Sequence, residues 1–397
     1  MTINLSQEIC DTYLRCPVCH IEQKLQYDGH LNRITCNNCN TIFPISHDIP
    51  ALMHHDEIHP LSHQFLGLEQ KAGNQKNPFK YRRISVFHVI LSEFLYFIIS
   101  VLFWIKKPRT FIHNWYRWIT GTPYSNDVQR ALYYGWNNYF NLLLKGGEIS
   151  AFSKMGSFIS EPSLEIGCGS CETTNMIFRD KKNVTFGCEY FMNNFHNTSG
   201  EMYRVIHHYV GGSISSLPFS SNAFQSVYMV HIIDHISLLD IWFKELYRIL
   251  KPGGFLVMDT YSKYVFDLLP GVRYRSFISK KWALNYKTWR ETTENPYRGG
   301  IPLKSDNEYY ATGRNLFTIE EWKETGEKYG FHLIEHHFFT GKLFALFMDL
   351  EYRGYYPSIT STLPIYMAID ETIKSEKTST LSEEDAGNVI LVFQKKC

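Results

Sequence analysis

The hydrophobic pattern changes character along the chain. From residue 10 to 53, apolar runs are short and broken by turn formers. Lys24–Tyr27 and Asn32–Thr35 flank Asp28-Gly29 and are predicted as a hairpin, with a further short strand before Met53. Residues 54–79 lose the pattern: His54, His55, His59 and His63 stand among glycines, prolines and asparagines and read as linker. Ile84–Ile105 is then apolar at seventeen of twenty-two positions, interrupted by Ser85, His88, Ser92, Glu93 and Ser100. Its length matches a hydrocarbon layer of about 30 Å, but an acid near the middle costs a few kcal/mol there. Basic residues flank it on both sides (Lys80, Arg82, Arg83; Lys106, Lys107, Arg109), which gives no orientation bias. A helix buried against the rest of the chain and a monotopic anchor are equal readings, with a span third.

Asn126–Leu144 is predicted as an amphipathic helix. Beyond residue 160 short apolar strands recur: Pro162–Ile166, Val184–Glu189, Ser226–Val230, Phe255–Asp259 and Asn388–Gln394. Thr340–Met367 reads as helical in part, and Lys374–Asp385 as polar and exposed.

Composition narrows the classes. With 397 residues, 44% hydrophobic and 20% charged, the chain can bury a sizeable core, and wholesale disorder is excluded. Forty Lys and Arg against thirty-nine Asp and Glu exclude a broadly basic polyanion wrapper. The charge is nevertheless uneven. Gly271–Lys304 holds eight basic residues (Arg273, Arg275, Lys280, Lys281, Lys287, Arg290, Arg298, Lys304) against Glu291 and Glu294. Tyr274, Phe277, Trp282, Tyr286, Trp289 and Tyr297 lie among them, a composition suited to a lid over an anionic substrate.

Four of the nine cysteines form two pairs, Cys16-Pro-Val-Cys19 and Cys36-Asn-Asn-Cys39, separated by sixteen residues. This is four-thiolate zinc spacing, and a filled tetrahedron leaves no position for a catalytic water, so the expected ion is structural. His20 reads as a surface residue rather than a ligand. Cys10, Cys168, Cys171, Cys188 and Cys397 are scattered, and Met1–Cys10 has no leader-like pattern, so a reducing, cytoplasmic setting is expected. The stretch Thr41-Ile-Phe-Pro-Ile-Ser-His-Asp-Ile-Pro-Ala-Leu-Met53 makes residues 10–54 resemble the Trm112-type zinc ribbons, which accompany methyltransferases.

Pro162-Ser-Leu-Glu-Ile-Gly-Cys-Gly-Ser170 runs a strand into a Gly-x-Gly turn, where a ligand can approach the backbone closely. Val184-Thr-Phe-Gly-Cys-Glu189 ends a second strand on an acid, about where dinucleotide folds bind ribose hydroxyls. Leu217-Pro-Phe precedes the next strand, and Leu250-Lys-Pro-Gly-Gly254 the one after. Together with Phe317-Thr-Ile-Glu-Glu-Trp322 and Tyr329-Gly-Phe331, these segments resemble the class I S-adenosylmethionine-dependent methyltransferases of the type 11 branch.

The resemblance implies an α/β, Rossmann-like, seven-stranded methyltransferase fold. Its expected parts are a zinc ribbon over residues 1–60, a linker and hydrophobic helical segment over 61–150, and a methyltransferase domain over 151–397. A lid insertion is expected at about 261–315. It further implies that Glu165, Gly167 and Gly169 frame the methionine part of the cofactor, that Glu189 holds the ribose, and that Ser213 and Ile214, beside Gly212, face the adenine. His231 closes that pocket. The sequence departs from the family at Cys171, where a third glycine is usual, and at Ser213 and Gln225, where aspartate is usual. His231, Asp234 and His235 follow the fourth strand and are the candidates for a general base, which an oxygen or nitrogen acceptor requires. The expected acceptor is a small or lipid-linked molecule, phosphorylated in one version, met at the cytoplasmic face of a membrane. An RNA base methyltransferase and a non-catalytic assembly partner are the alternatives.

Overall fold

The computed structural model describes residues 5–58, 86–120, 125–133, 139–169, 171–178, 184–190, 192, 206–236, 239–292, 315–352 and 363–397. The linker expected at 54–79 and part of the lid, residues 293–314, therefore lie largely or wholly outside the described residues.

The chain begins with α1 (Gln7–Tyr13), capped by the Ser6 hydroxyl, and the meander β1 (Leu25–Asp28), β2 (Arg33–Cys36), β3 (Ile42–Ser46) and β4 (Ile49–Leu52). The first hairpin closes one residue later than predicted, with Asp28 opposite Arg33. Asp28 Oδ1 accepts from the amides of His30 and Leu31 and so shapes the loop. The predicted single strand before Met53 is a tight hairpin: His47 and Asp48 both adopt positive φ (51° and 64°), as the favoured two-residue turns demand.

Four helices follow: α2 (Val86–Ile105), α3 (Pro108–Ile119), α4 (Asn126–Tyr133) and α5 (Tyr139–Lys154). The described residues of the helix predicted over 126–144, which are 126–133 and 139–144, are helical in α4 and α5; residues 134–138 lie outside the described residues. Next come β5 (Ser163–Ile166), α6 (Glu172–Phe178), β6 (Val184–Glu189), β7 (Ile206–Gly212), β8 (Phe224–Met229), α7 (Leu239–Ile249) and β9 (Leu250–Tyr261). The chain finishes with α8 (Pro270–Ile278), α9 (Lys280–Thr292), α10 (Ile319–Lys328), β10 (Phe331–Phe339), α11 (Lys342–Tyr352), α12 (Leu363–Thr378) and β11 (Asn388–Lys395). Two sequence readings need correction. The Lys-Pro-Gly-Gly segment lies inside β9, with Gly253 at φ 72°, rather than before it. The stretch from Lys374 is not uniformly exposed, because α12 buries Glu376, whose carboxylate accepts from the Thr340 and Gly341 amides at 2.7 Å each.

One sheet runs through the molecule in the order β1-β2-β3-β4-β7-β6-β5-β8-β9-β11-β10. Strands β7, β6, β5, β8 and β9 are parallel, while β11 is antiparallel to both its neighbours. Seven of its strands, β5 to β11, follow the amino-terminal meander, and the sheet reaches eleven because β4 pairs in parallel with β7, Ala51 opposite Gly211 and Leu52 opposite Gly212. Burial explains the join. Leu14, Phe43 and Leu52 share one apolar core with Leu164, Phe186, Phe219 and Phe224. The Tyr13 ring lies 5.1 Å from that of Phe186.

Helix α2 settles against the other side. Its Tyr96 ring lies 4.8 Å from Tyr139, and Trp104 packs on Met367 and Ala368. Among the described residues, no helix is long and apolar enough to cross a membrane.

Candidate active site and thiolate cluster

Strand order reverses at β5, which has β6 on one side and β8 on the other. In open α/β sheets the crevice beyond the carboxyl ends of such strands is where ligands bind. Gly167, Gly169, Glu189 and His231 all fall there.

Local packing accounts for both glycines. Gly167 has φ 70°, and a Cβ there would meet Ile232 Cδ1 at 2.4 Å. Gly169 has φ 56°, yet a Cβ there would find nothing within 4 Å. Among the described residues the turn is therefore bare on its outer side, a cradle of the shape a close-lying ligand needs. The Gly169 amide donates to Glu189 Oε2 at 2.7 Å, so the acid ending β6 reaches the turn after β5. Cys171 keeps the left-handed backbone (φ 63°) that a glycine would supply there, with its thiol buried. The departure from the family is thus in the side chain, while the turn itself survives.

Glu165 lies beneath the turn, fully buried, and accepts from the Thr174 hydroxyl and from Tyr228 Oη at 3.2 Å. Burial pushes its carboxyl up to about 7, against the pull of those two donors. Across β6, Ser213 is buried with its hydroxyl 2.7 Å from that of Ser215, and Ile214 is half-buried.

His231, also in the left-handed region (φ 51°), donates its amide to Asp259 Oδ1 at 2.8 Å. Its Nε2 stands 3.3 Å from Glu148 Oε1 and 3.7 Å from Asp259 Oδ2. Glu148 comes from α5 and also accepts from Lys145 Nζ at 2.8 Å. Both carboxyls are fully buried. Burial raises each above the ordinary carboxylate range; Lys145 opposes the rise at Glu148, and the Glu148 charge adds to it at Asp259. Asp234 is buried nearby and adds a smaller repulsion at Asp259. The side chain of His235 lies outside the described residues.

Sequence reasoning missed Glu148 and Asp259. One signal was available: Asp259 closes the apolar strand Phe255–Met258, whereas Glu148 stands among Lys145, Gly146 and Gly147 with nothing to single it out.

At the other end of the sheet, the four cysteines converge. Cys16 Sγ lies 3.6 Å from Cys39 Sγ, and Cys19 Sγ 3.6 Å from Cys36 Sγ, with all four sulfurs within 4.8 Å of one another. Sulfurs held about 2.3 Å from one tetrahedral ion stand roughly 3.8 Å apart, so the set fits zinc. The two knuckles are copies. His20 and Asn40, both at φ 60°, donate to the Cys16 and Cys36 carbonyls at 2.9 and 2.8 Å. The Cys16 and Cys36 amides donate in turn to Ile21 and Thr41. His20 points to solvent, as expected.

Residues 164–258, the span from β5 to β9, match the family model described as a methyltransferase domain. The chain carries a methyltransferase domain. A curated relative, the ubiquinone/menaquinone biosynthesis C-methyltransferase of Haemophilus ducreyi, is 37% identical over 59 residues. That stretch is 15% of this chain and 23% of the relative, so the chain spans about a quarter of the curated protein it matches.

Solved structures similar to the chain include phosphoethanolamine N-methyltransferase 2 of Haemonchus contortus with bound S-adenosyl-L-methionine. It is 17% identical, covers 63% of this chain and 52% of its own, and gives a TM-score of 0.37. A methyltransferase of Archaeoglobus fulgidus is 14% identical over 62% of this chain and 91% of its own, with a TM-score of 0.34. A chain from the complex of the Haloferax volcanii Trm112 methyltransferase activator with a methyltransferase is 15% identical. It covers 64% of this chain and 93% of its own, with a TM-score of 0.35.

Proposed function

We propose that the methyltransferase domain takes S-adenosylmethionine as methyl donor and acts on a small-molecule or lipid-linked acceptor. The observation that carries this reading is the bare turn at Gly169 with its amide tied to Glu189. Gly167 and Gly169 would lie along the methionine part, Glu189 would hold the ribose hydroxyls, and Ser213 and Ile214 would face the adenine. The cofactor, when bound, supplies a methyl group already activated on a sulfonium.

The chain's own residues position the acceptor and receive its proton. Holding two reactants in line lowers a barrier by about 7–11 kcal/mol, so placement is the larger part of the work. His231 is the proposed base, with Glu148 and Asp259 stabilising the imidazolium that forms when it takes a proton. Asp234 and His235 are the other candidates for this step that the sequence offers.

A small acceptor fits the described part of α8 and α9 better than a nucleic acid does. Arg275 stacks over Trp282 at 4.9 Å, and Lys287 pairs with Asp267 at 2.6 Å. These cations are engaged within their own segment rather than arrayed for phosphates. The Haemophilus ducreyi relative is named for ubiquinone/menaquinone biosynthesis, and acceptors of that kind are the first to assay.

The four thiolates, in the same reading, hold a structural zinc, with the ribbon spanning residues 1–60 ahead of the domain at 151–397. The test is transfer of labelled methyl from S-adenosylmethionine to lipid-soluble, water-soluble and RNA fractions of a cell extract. Label entering a small or lipid-linked product, and lost in His231→Ala, supports the proposal; label in RNA alone overturns the acceptor class.

A further inference from the structure

Helix α2 inverts the usual amphipathic pattern. On a helix packed against a core, apolar side chains face inward and polar ones face water. In α2 every described side chain that is exposed is apolar, from Phe94 and Phe97 through Leu102 to Ile105. Ser100, which is polar, is instead 3% exposed. The exposed positions 94, 97, 98, 101, 102 and 105 form one stripe at helical spacing. The opposite stripe, Tyr96, Ser100 and Trp104, is the one that packs on the protein.

Helix α3 exposes apolar side chains too, beside the exposed Arg109 and His113. Asn114 is buried, while Ile112, Tyr116 and Ile119 are each about two-thirds exposed. Packing therefore fixes the inner faces and leaves apolar side chains exposed on both helices, as one stripe along α2. Scattered single apolar residues need no explanation, but a continuous face of this kind marks an interaction site.

Charge selects the occupant. Lys106, Lys107, Arg109 and Arg117 border the face, and α3 contains no acidic residue. Lys107 lies 3.6 Å from Glu371. We propose that the α2–α3 face docks on an anionic lipid surface, with the apolar stripe in the acyl boundary and Lys106, Arg109 and Arg117 at the headgroup phosphates. A contact between two copies of this chain through the same face would set these like charges against one another at its rim. The lipid surface answers them with opposite charge. The inference stands apart from the methyl-transfer reading, which rests on Gly167, Gly169, Glu189 and His231, all outside the two helices.

The test is flotation of the full-length, zinc-loaded protein with phosphatidylcholine vesicles, with and without phosphatidylserine. Expected is co-flotation that depends on phosphatidylserine, reduced about tenfold or more in Leu102→Glu/Ile112→Glu. Lys106→Glu/Arg109→Glu should lose the phosphatidylserine preference. S-adenosylhomocysteine binding and circular dichroism, measured on the same variants, should be unchanged and show that the fold persists. No co-flotation of wild type, equal flotation of the apolar double variant, or equal binding to both vesicles overturns the inference. A dimer in sedimentation that Leu102→Glu splits, without vesicle binding, also overturns it in favour of a self-contact.

Discussion

Arg15 Nη2 stands 2.7 Å from Glu245 Oε2, joining the cysteine-bearing segment to helix α7 across 230 residues of sequence. The same guanidinium donates through Nε to the Leu217 carbonyl, and Glu245 Oε2 accepts the Leu217 amide. Ser216 Oγ donates to the Pro17 carbonyl, and the Ser220 amide to that of Tyr13. The loop after Ser213 is thus held by the ribbon as much as by the sheet. Arg15→Ala leaves Glu245 with Arg248 as its cation partner among the described residues, and loss of the charged hydrogen bond costs about 2 kcal/mol. The expected result is a lower Tm together with several-fold weaker S-adenosylhomocysteine binding. A lower Tm with unchanged affinity would separate the loop from the cofactor.

The thiolate cluster is expected to bind one zinc per chain. Cys36→Ser removes a ligand at 3.6 Å from Cys19, and structural zinc contributes roughly 10 kcal/mol or more to the fold it closes. Metal analysis of the wild type should find stoichiometric zinc, and the variant should lose both the ion and much of its thermal stability. Absence of metal from freshly purified, unchelated wild type contradicts the assignment.

His231 beside two buried carboxyls carries a kinetic expectation. Glu148→Gln keeps the shape but removes a charge facing Nε2, so kcat should fall by about tenfold or more while KM for the methyl donor stays within about twofold. Glu148→Asp should recover part of the loss. Full activity in Glu148→Gln would leave His231 a packing residue.

Glu165 gives a pH dependence with a definite sign. Burial raises its carboxyl to about 7 in the folded chain, so the folded state holds a proton that the unfolded chain releases near 4.5. The stability this contributes is complete below about pH 4.5 and is lost as pH rises through 7, a decline of about 3 kcal/mol. Glu376, likewise raised to about 7 by burial, acts in the same direction. Urea unfolding of wild type between pH 5 and 8 should therefore show falling stability. Glu165→Gln should fall less steeply over the same range; parallel curves would contradict the assignment.

Much of the crevice was legible in the sequence because its signals are local. The Gly-x-Gly turn, the acid ending β6 and the thiolate spacing each sit within a few residues, and backbone geometry ties such residue types to such turns. What stayed hidden is long-range. Glu148 meets His231 only because α5 packs on β8, its Phe152 ring 6.3 Å from Tyr228, and nothing in Leu142–Phe152 encodes that partner. The pairing of Leu52 with Gly212 likewise joins segments far apart, through a core no periodicity reveals. The apolar character of Ile84–Ile105 was clear, but not which stripe packs on the protein, which proves to be Tyr96, Ser100 and Trp104.

Calorimetric titration of folded, zinc-loaded wild type with S-adenosylhomocysteine tests the central claim most directly, because it asks whether the crevice holds the cofactor product whatever the acceptor is. Binding in the micromolar range is expected, weakened in Glu189→Ala by about ten- to a hundredfold, the effect of losing a charge-assisted hydrogen bond. No heat of binding to the wild type, or equal affinity in Glu189→Ala, would contradict the account.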